Sequence, residues 1–379
     1  MAAVLSGCGT DGSERTQPPQ SAESATRRPA CYPAPLSERA ARVVVAGLPE
    51  VTDPAHPVVT ELVRLHVGGV FITDSNVQSM AQVGELIAGI KSQVGRPLVV
   101  STDEESGRVS TFANVLGTGP SPRRLATEQS PAEVREVARR TGNHLKSLGI
   151  NVDLAPVSDV DGGPWNSIIG DRAFSGEPAV ASRYALAYAQ GLNDAGVVPV
   201  AKHFPGQGRA GGDTHVQLST VDTALEELES SDLVPFRDLV DAGVPVVMLS
   251  HVAYRALDPD LPASLSPRAY QLLRDLGFTG VAMTDAVGMG AVNTRWDYEA
   301  AAVKAVAAGA DALLVTDGKQ ARRMRDALIA AVQMRELDEA RLNQAATRVT
   351  VLGGGDPMGV TCQNAELPRI TSDPTPSAP

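Results

Sequence analysis

The stretch Ala201-Lys-His-Phe-Pro-Gly-Gln-Gly-Arg-Ala-Gly-Gly-Asp-Thr-His215 follows directly on an apolar run, Val197–Lys202, and ends in an Asp-x-His pair. A short β-branched run that delivers a lysine and a histidine at its last residues reads as a buried strand with its polar residues at the C-terminal end. The glycines at 206, 208, 211 and 212 admit backbone angles closed to other residues and allow the loop to move. A mobile loop carrying Asp213 and His215 can close over a bound molecule. Asp213 is placed to orient the imidazole and hold its charged form.

Outward from this strand, seven more runs of the same kind recur: Val43–Gly47, Gly69–Thr73, Leu98–Thr102, Asn151–Ala155, Pro245–Ser250, Val281–Thr284 and Ala312–Thr316. Between them lie segments of helical periodicity, among them Val77–Val94, Ala132–Leu148, Val180–Ala195, Leu225–Ala242 and Tyr298–Ala308. Gly149 and Gly243 stand where helices should stop. Eight strands alternating with helices predict an α/β fold closed into a (β/α)8 TIM-type barrel, with an open doubly wound sheet as the alternative. Asp103, Lys202, His203, His251, Asp285 and Asp317 all fall within a residue or two of a strand's C-terminal end. In a barrel these converge on one face, the one that carries the active site in characterised barrel enzymes. The expected organisation is a tether over residues 1–35, a single catalytic domain over 36–355 and a tail over 356–379.

The chain of 379 residues is 43% hydrophobic and 20% charged, an ordinary balance for a protein with a substantial core. Its net charge of −11, without a clustered basic face, argues against a nucleic-acid partner. No run of about 18 apolar residues is present to span a membrane. Leu5-Ser-Gly-Cys8 matches the cleavage pattern of a bacterial lipoprotein, with Cys8 as the lipidated residue, and Thr10 to Pro35 has the Ser, Pro, Gln and Thr content of a tether. The basic and apolar regions that precede such a site are missing from Met1–Val4, so a start further upstream and a chance match both stay open. The expectation is an exported bacterial protein that meets the membrane only through a lipid on Cys8.

A second stretch, Gly280-Val-Ala-Met-Thr-Asp-Ala-Val-Gly-Met289, is an apolar strand that ends in a lone carboxylate, Asp285. A carboxylate suits attack on an anomeric carbon, because it forms and later releases a glycosyl ester. It equally suits capping of a following helix. Residue type alone leaves the two readings level.

These stretches resemble the family-three glycoside hydrolases, in particular their single-domain β-N-acetylglucosaminidase branch, over about Arg42 to Gly353. Lys202-His-Phe-Pro-Gly206 with Asp213-Thr-His215 is similar to that family's signature, and the resemblance implies His215 as acid/base, Asp213 as its partner and Asp285 as nucleophile. Asp103-Glu-Glu-Ser-Gly-Arg-Val109 resembles a segment whose Asp holds sugar hydroxyls. Gly170-Asp-Arg-Ala-Phe174 resembles a block whose Arg contacts substrate, so Asp103 and Arg172 join Lys202 and His203 as expected sugar-binding residues. Asn151–Pro156, Met248–His251 and Pro262–Ser266 complete the likeness. Three positions depart from the family: Ser106 where Gly is usual, Thr111 where an Arg helps bind the sugar, and Ala286 where a second Asp is common. Two-domain relatives take their acid from a domain after the barrel, and the segment after Gly353 is too short for one. The resemblance therefore points again to a barrel-loop acid, His215.

The implied activity is retaining hydrolysis of terminal non-reducing β-linked N-acetylglucosamine, or N-acetylhexosamine more generally, from cell-wall-derived saccharides such as muropeptides. No cofactor and no metal are called for, since the histidines lack ligand spacing. A phosphorylase on the same scaffold and a non-catalytic sugar-binding lipoprotein remain rival readings. If Cys8 is lipidated, Cys31 and Cys362 are left over, and in an oxidising compartment a Cys31–Cys362 disulfide is expected.

Overall fold

The computed structural model describes residues 31–371, so Cys8, the proposed lipid site, and most of the expected tether lie outside the described residues. Eight parallel strands follow one another around a ring: β1 Val44–Gly47, β2 Gly69–Ile72, β3 Val99–Thr102, β4 Val152–Asp153, β5 Val198–Phe204, β6 Val246–Leu249, β7 Val281–Thr284 and β8 Leu313–Val315. Each neighbour in space is the neighbour in sequence, and β1 returns to β8 with Val44, Val45 and Ala46 opposite Leu313, Leu314 and Val315. The last gap, between β7 and β8, is bridged at Met283 and Ala312 and by the Asp311 amide on the Ala282 carbonyl at 2.7 Å. The expected (β/α)8 barrel is therefore the fold, and the open sheet is not.

The strands are apolar because both of their faces are covered. Alternate side chains part company: Val45, Phe71, Val99, Val200, Val246 and Val281 fill the barrel. Val44, Ala46, Ile72, Val100, Val247 and Ala282 face outward into a core shared with the helices. With strands this short, the residue after each last outward position already stands at the mouth.

The helices stop and start where local chemistry dictates. Tyr298–Ala308 has the expected bounds. The helix Pro131–Leu148 opens on a Ser130–Glu133 capping box and closes on Gly149 at φ +90°, a conformation that glycine adopts without cost. Two expectations need correcting. The helix expected from Val77 begins at Met80, because the Ser79 hydroxyl caps the Gln82 amide and Val77 is extended. The helix expected over Leu225–Ala242 is two, Leu225–Ser230 and Val234–Asp241, with Pro235 in the first turn of the second. The break holds Asp232, which is fully buried beneath the glycine-rich loop.

Residues after the last long helix, Glu339–Leu352, also fold. Met358–Thr361 forms a short helix, Ile370 is buried, and the Thr371 amide donates to the Ala242 carbonyl at 3.1 Å. Cys31 and Cys362 are each disulfide-bonded.

Helices Pro131–Leu148 and Pro178–Asp194 approach closely through Gly142 and Gly191. A Cβ on Gly191 would lie 2.1 Å from the Arg135 carbonyl oxygen and 2.9 Å from the Arg139 amide, neither of which can move without its helix. Alanine gains about 1 kcal/mol of helix propensity, but forced separation of packed elements costs about 1–3 kcal/mol. Gly191→Ala is therefore expected to lower the thermal midpoint while folded protein keeps its activity. A midpoint at or above that of the parent would contradict the packing argument.

Candidate active site

Strand ends place the site. Asp103 follows β3, Lys202 and His203 are near the end of β5, and Asp285 follows β7. They line one cavity of about 430 Å³ at the C-terminal mouth, together with Glu105 and Arg172. Asp213, Thr214 and His215 line the same cavity from the glycine-rich loop.

The centre of the site is a chain of charges. Arg172 gives Glu105 two hydrogen bonds, Nε to Oε2 and Nη2 to Oε1, both 2.7 Å. Lys202 Nζ sits between Glu105, at 2.6 Å, and the Asp103 carboxylate. The Glu105 side chain is 1% exposed and that of Lys202 is 3%. Burial alone would push the Glu105 carboxyl up, but Arg172 and Lys202 hold it well below the usual carboxylate range. Burial opposes the charge on Lys202 and Arg172 as well, and the facing carboxylates more than offset it, raising both above their ordinary values. Among the described residues Arg172 Nη1 has no protein acceptor, so it remains a donor for a ligand.

His203 is fixed from behind. Its Nδ1 lies 2.8 Å from Oδ2 of Asp159, which is fully buried, and its amide donates to Oδ1 of the same residue at 3.1 Å. With Nδ1–H donating to the carboxylate, Nε2 faces the cavity as an acceptor in the neutral ring. Arg172 Nη2 stands 3.5 Å from it.

The loop from Gly206 to Ser219 is pinned at several points although its tip is exposed. The Gln207 amide donates to Asp159 at 2.7 Å, Arg209 Nε to Asp232 at 2.8 Å, and the Gly212 amide to Ser219 Oγ at 3.2 Å. Carbonyls of Thr214 and His215 accept from the amides of Ala291 and Gly290 at 3.0 and 2.9 Å, which fixes the loop to the segment after Asp285. A side chain at Gly290 would collide with the Val216 and His215 carbonyls. At the tip, Asp213 Oδ1 meets His215 Nδ1 at 2.8 Å and the His215 amide at 2.9 Å. Those two bonds hold the Asp213 carboxyl below its usual value. The His215 ring is 70% exposed, with Nε2 directed away from Asp213.

Asp285 accepts from its neighbour's amide, Ala286 N to Oδ1 at 2.7 Å. Burial would raise its carboxyl, but the imidazoles of His251 and His203, the Ala286 amide and the Lys202 ammonium together bring it below the ordinary value. It is therefore ionised at neutral pH. His251, expected at the mouth, does not line the cavity: its Nδ1 meets Ser264 Oγ at 2.6 Å and its Nε2 the Ala286 carbonyl at 2.9 Å. It is a fully buried brace for the backbone after Asp285. Asp317 likewise caps the short helix Gly318–Gln320 rather than lining the cavity.

Sequence reading missed Glu105, Asp159 and Gln207. Glu105 lay inside the quoted Asp103–Val109 segment, and Asp159 follows the Asn151–Pro156 block by three residues. Two of the departures acquire a physical account. Ser106 stands at φ +72°, the left-handed region that suits glycine, and its Oγ bonds the Pro120 carbonyl at 2.6 Å. Thr111 is buried, with Oγ1 2.8 Å from Thr102 Oγ1 and 3.0 Å from the Asp103 carbonyl, so it braces Asp103 from below.

The charge chain predicts a stability effect with a definite pH dependence. Removing one partner of a buried ion pair typically costs about 3–5 kcal/mol, so Glu105→Gln should lower the urea midpoint by a corresponding amount at neutral pH. Because the folded carboxyl lies below its unfolded value, this contribution is complete above the unfolded pKa and disappears only as pH falls through the folded one. The gap between variant and parent should persist at pH 5 and shrink in strong acid, and a gap already closed at pH 5 would contradict the assignment.

Comparison with known proteins adds independent findings. Residues 39–352 match the model of the glycosyl hydrolase family 3 N terminal domain. The chain is 40% identical over 342 residues to the beta-hexosaminidase LpqI of Mycobacterium tuberculosis, covering 87% of this chain and 86% of that protein. Among solved structures, a family 3 glycosyl hydrolase from Mycobacterium smegmatis superposes with a TM-score of 0.78 at 38% identity, covering 84% of this chain and 97% of that one. A family 3 beta-N-acetylglucosaminidase from Paenibacillus superposes with a TM-score of 0.80 at 33% identity, covering 88% of this chain and 64% of that one.

Proposed function

The chain belongs to glycosyl hydrolase family 3, and on that premise we propose that it is a retaining β-N-acetylhexosaminidase releasing terminal N-acetylglucosamine from cell-wall-derived saccharides. The observation that carries the reading is a single cavity lined both by the ionised Asp285 and by the Asp213–His215 pair. Asp285 attacks the anomeric carbon as the bond to the aglycone oxygen breaks, and the proton on His215 Nε2 passes to that oxygen. A glycosyl ester on Asp285 results. Neutral His215 then takes a proton from water, whose oxygen attacks the same carbon from the face the aglycone left. The ester opens, Asp285 is restored, and the configuration is retained.

Asp213 accepts from Nδ1–H, which leaves Nε2 as the ring nitrogen that gives up and takes back the reacting proton, and its negative charge stabilises the imidazolium. Lys202, Arg172 and His203 supply hydrogen bonds to the sugar from positions fixed by Glu105, Asp103 and Asp159. Water rather than phosphate suits the second step. The charges of Lys202 and Arg172 are already matched by Asp103 and Glu105, which leaves no unpaired cation pair for an anion. A lipid on Cys8 belongs to the same reading, and intact-mass measurement of protein from a lipoprotein-processing host checks it, an unacylated mass overturning it.

Asp285→Ala should abolish turnover while leaving the fold intact. A slow fluorinated glycoside should label Asp285 in the parent protein, and label on another carboxylate would overturn its role. His215→Ala should slow poor leaving groups by about 10²–10⁴-fold and good aryl leaving groups far less. Equal losses across leaving groups of widely different acidity would remove His215 as the acid.

A further inference from the structure

One wall of the cavity holds an acceptor that the fold itself does not use. Gln207 is 4% exposed and lines the cavity between His203 and the tip that carries Thr214 and His215. Its backbone is fixed: the amide donates to Asp159 Oδ1 at 2.7 Å, and a Cβ on the next residue, Gly208, would lie 2.0 Å from the Val160 carbonyl oxygen. The side chain is far less committed. Its Nε2 donates to Thr214 Oγ1 at a long 3.4 Å, and its Oε1 is buried with no donor among the described residues. A buried amide oxygen left without a donor costs free energy, and such atoms are few in folded proteins. In the wall of a ligand cavity the atom is accounted for when the ligand brings the donor. The last torsion of a glutamine side chain is soft and roughly twofold. Here one long bond restrains it, so the amide turns toward a ligand at small cost.

The ring of strands shows which part of a sugar meets this wall. Asp285 after β7 and Asp103 after β3 stand opposite one another in the order β1 to β8. One arc between them carries Gln207, His203 and Lys202 on and after β5 and Arg172 after β4. The other arc, through β8, β1 and β2, gives the cavity only Leu314 among the described residues. A sugar whose anomeric carbon meets Asp285 therefore turns its C2–C3 edge to the arc that holds the polar groups. C2 adjoins C1, and Gln207 is the polar side chain of that arc bonded to the Thr214–His215 tip, which serves C1. The hydroxyls farther round the ring then fall to His203, Lys202, Arg172 and Asp103. His203 Nε2 already has Arg172 Nη2 at 3.5 Å, so the acceptor beside C2 that still lacks a donor is Gln207 Oε1.

We infer that Gln207 reads the 2-acetamido group of the substrate: its Oε1 accepts the N–H on C2, and selectivity for an N-acetylhexosaminide resides in part in that bond. The inference deepens the proposed function and rests on it.

The test uses the full chain and two chromogenic compounds, para-nitrophenyl N-acetyl-β-glucosaminide and para-nitrophenyl 2-O-acetyl-β-glucoside. The second keeps the carbonyl and the methyl and replaces only the N–H by oxygen. Each is followed as a substrate, and the second also as a competitive inhibitor of the first. In the parent protein the 2-O-acetyl compound should bind about tenfold more weakly, the worth of one hydrogen bond. Gln207→Leu and Gln207→Met keep the volume and remove the amide oxygen. Each should lower kcat/KM on the N-acetyl substrate by about tenfold and should affect the 2-O-acetyl compound far less, so that the preference between the two collapses. Equal binding of both compounds by the parent overturns the inference. Equal losses on both in the folded variants assign Gln207 to holding the loop and overturn it as well, as does the absence of any loss. In each of these cases, turnover of the N-acetyl substrate by the parent leaves the proposed function standing. A parent that does not cleave the N-acetyl substrate overturns the function and the inference together.

Discussion

Glu105, with its side chain almost wholly removed from water, accepts two hydrogen bonds from Arg172 and a third from Lys202, and Lys202 carries the connection on to Asp103. Isolated charges do not survive such burial, because desolvating either ion costs several kcal/mol and only close pairing returns it. The four groups therefore depend on one another, and the elements that carry them are locked together by that dependence. Glu105 belongs to the hairpin after β3, Arg172 to the turn Gly170–Arg172, and Lys202 to β5. Their mutual attraction sets the distance across this side of the mouth, and with it the positions of the Lys202 and Arg172 donors.

On the other side, order is imposed through backbone rather than charge. The loop that carries His215 is fixed at its root by Asp159 and Asp232 and at its tip by the amides of Gly290 and Ala291. Those last two contacts tie His215 to the chain segment that follows Asp285, while His251 holds the same segment from beneath through the Ala286 carbonyl. The proposed nucleophile and proton carrier thus share one stretch of backbone as their reference. The imidazole itself stays largely in water, which suits the proton-carrying role proposed for it.

The eight strands were legible because a parallel sheet covered on both faces demands continuous β-branched runs, and all eight runs became barrel strands. Residues that terminate those runs were legible for the same reason. Partners that act through space were not. Glu105 was overlooked beside Asp103 because nothing local distinguishes a carboxylate that holds an arginine 67 positions away from one in solvent. Asp159 is tied to His203 across 44 positions and gives no periodic signal. The opposite error befell His251 and Asp317, whose places at strand ends put them on the right face but whose side chains are spent on Ser264, Ala286 and a helix cap. Position along a strand fixes which face a residue serves, and only packing decides whether it serves the ligand or the scaffold.

Beneath the charged layer lies one more carboxyl, and its state decides whether the layer above can balance. Asp153, at the end of β4, is fully buried; one oxygen accepts the Glu104 amide at 3.0 Å and the other has no partner among the described residues. Burial, reinforced by the nearby Glu104 and Asp103 carboxylates, pushes it well above the usual range, which favours the neutral acid. Were it ionised, a further negative charge would compete for Lys202, the cation that Asp103 and Glu105 already share. Kept neutral, it supports the hairpin through the Glu104 amide without drawing on that cation. Lys202 can therefore hold Asp103 and Glu105 together and still turn its remaining N–H toward a sugar hydroxyl.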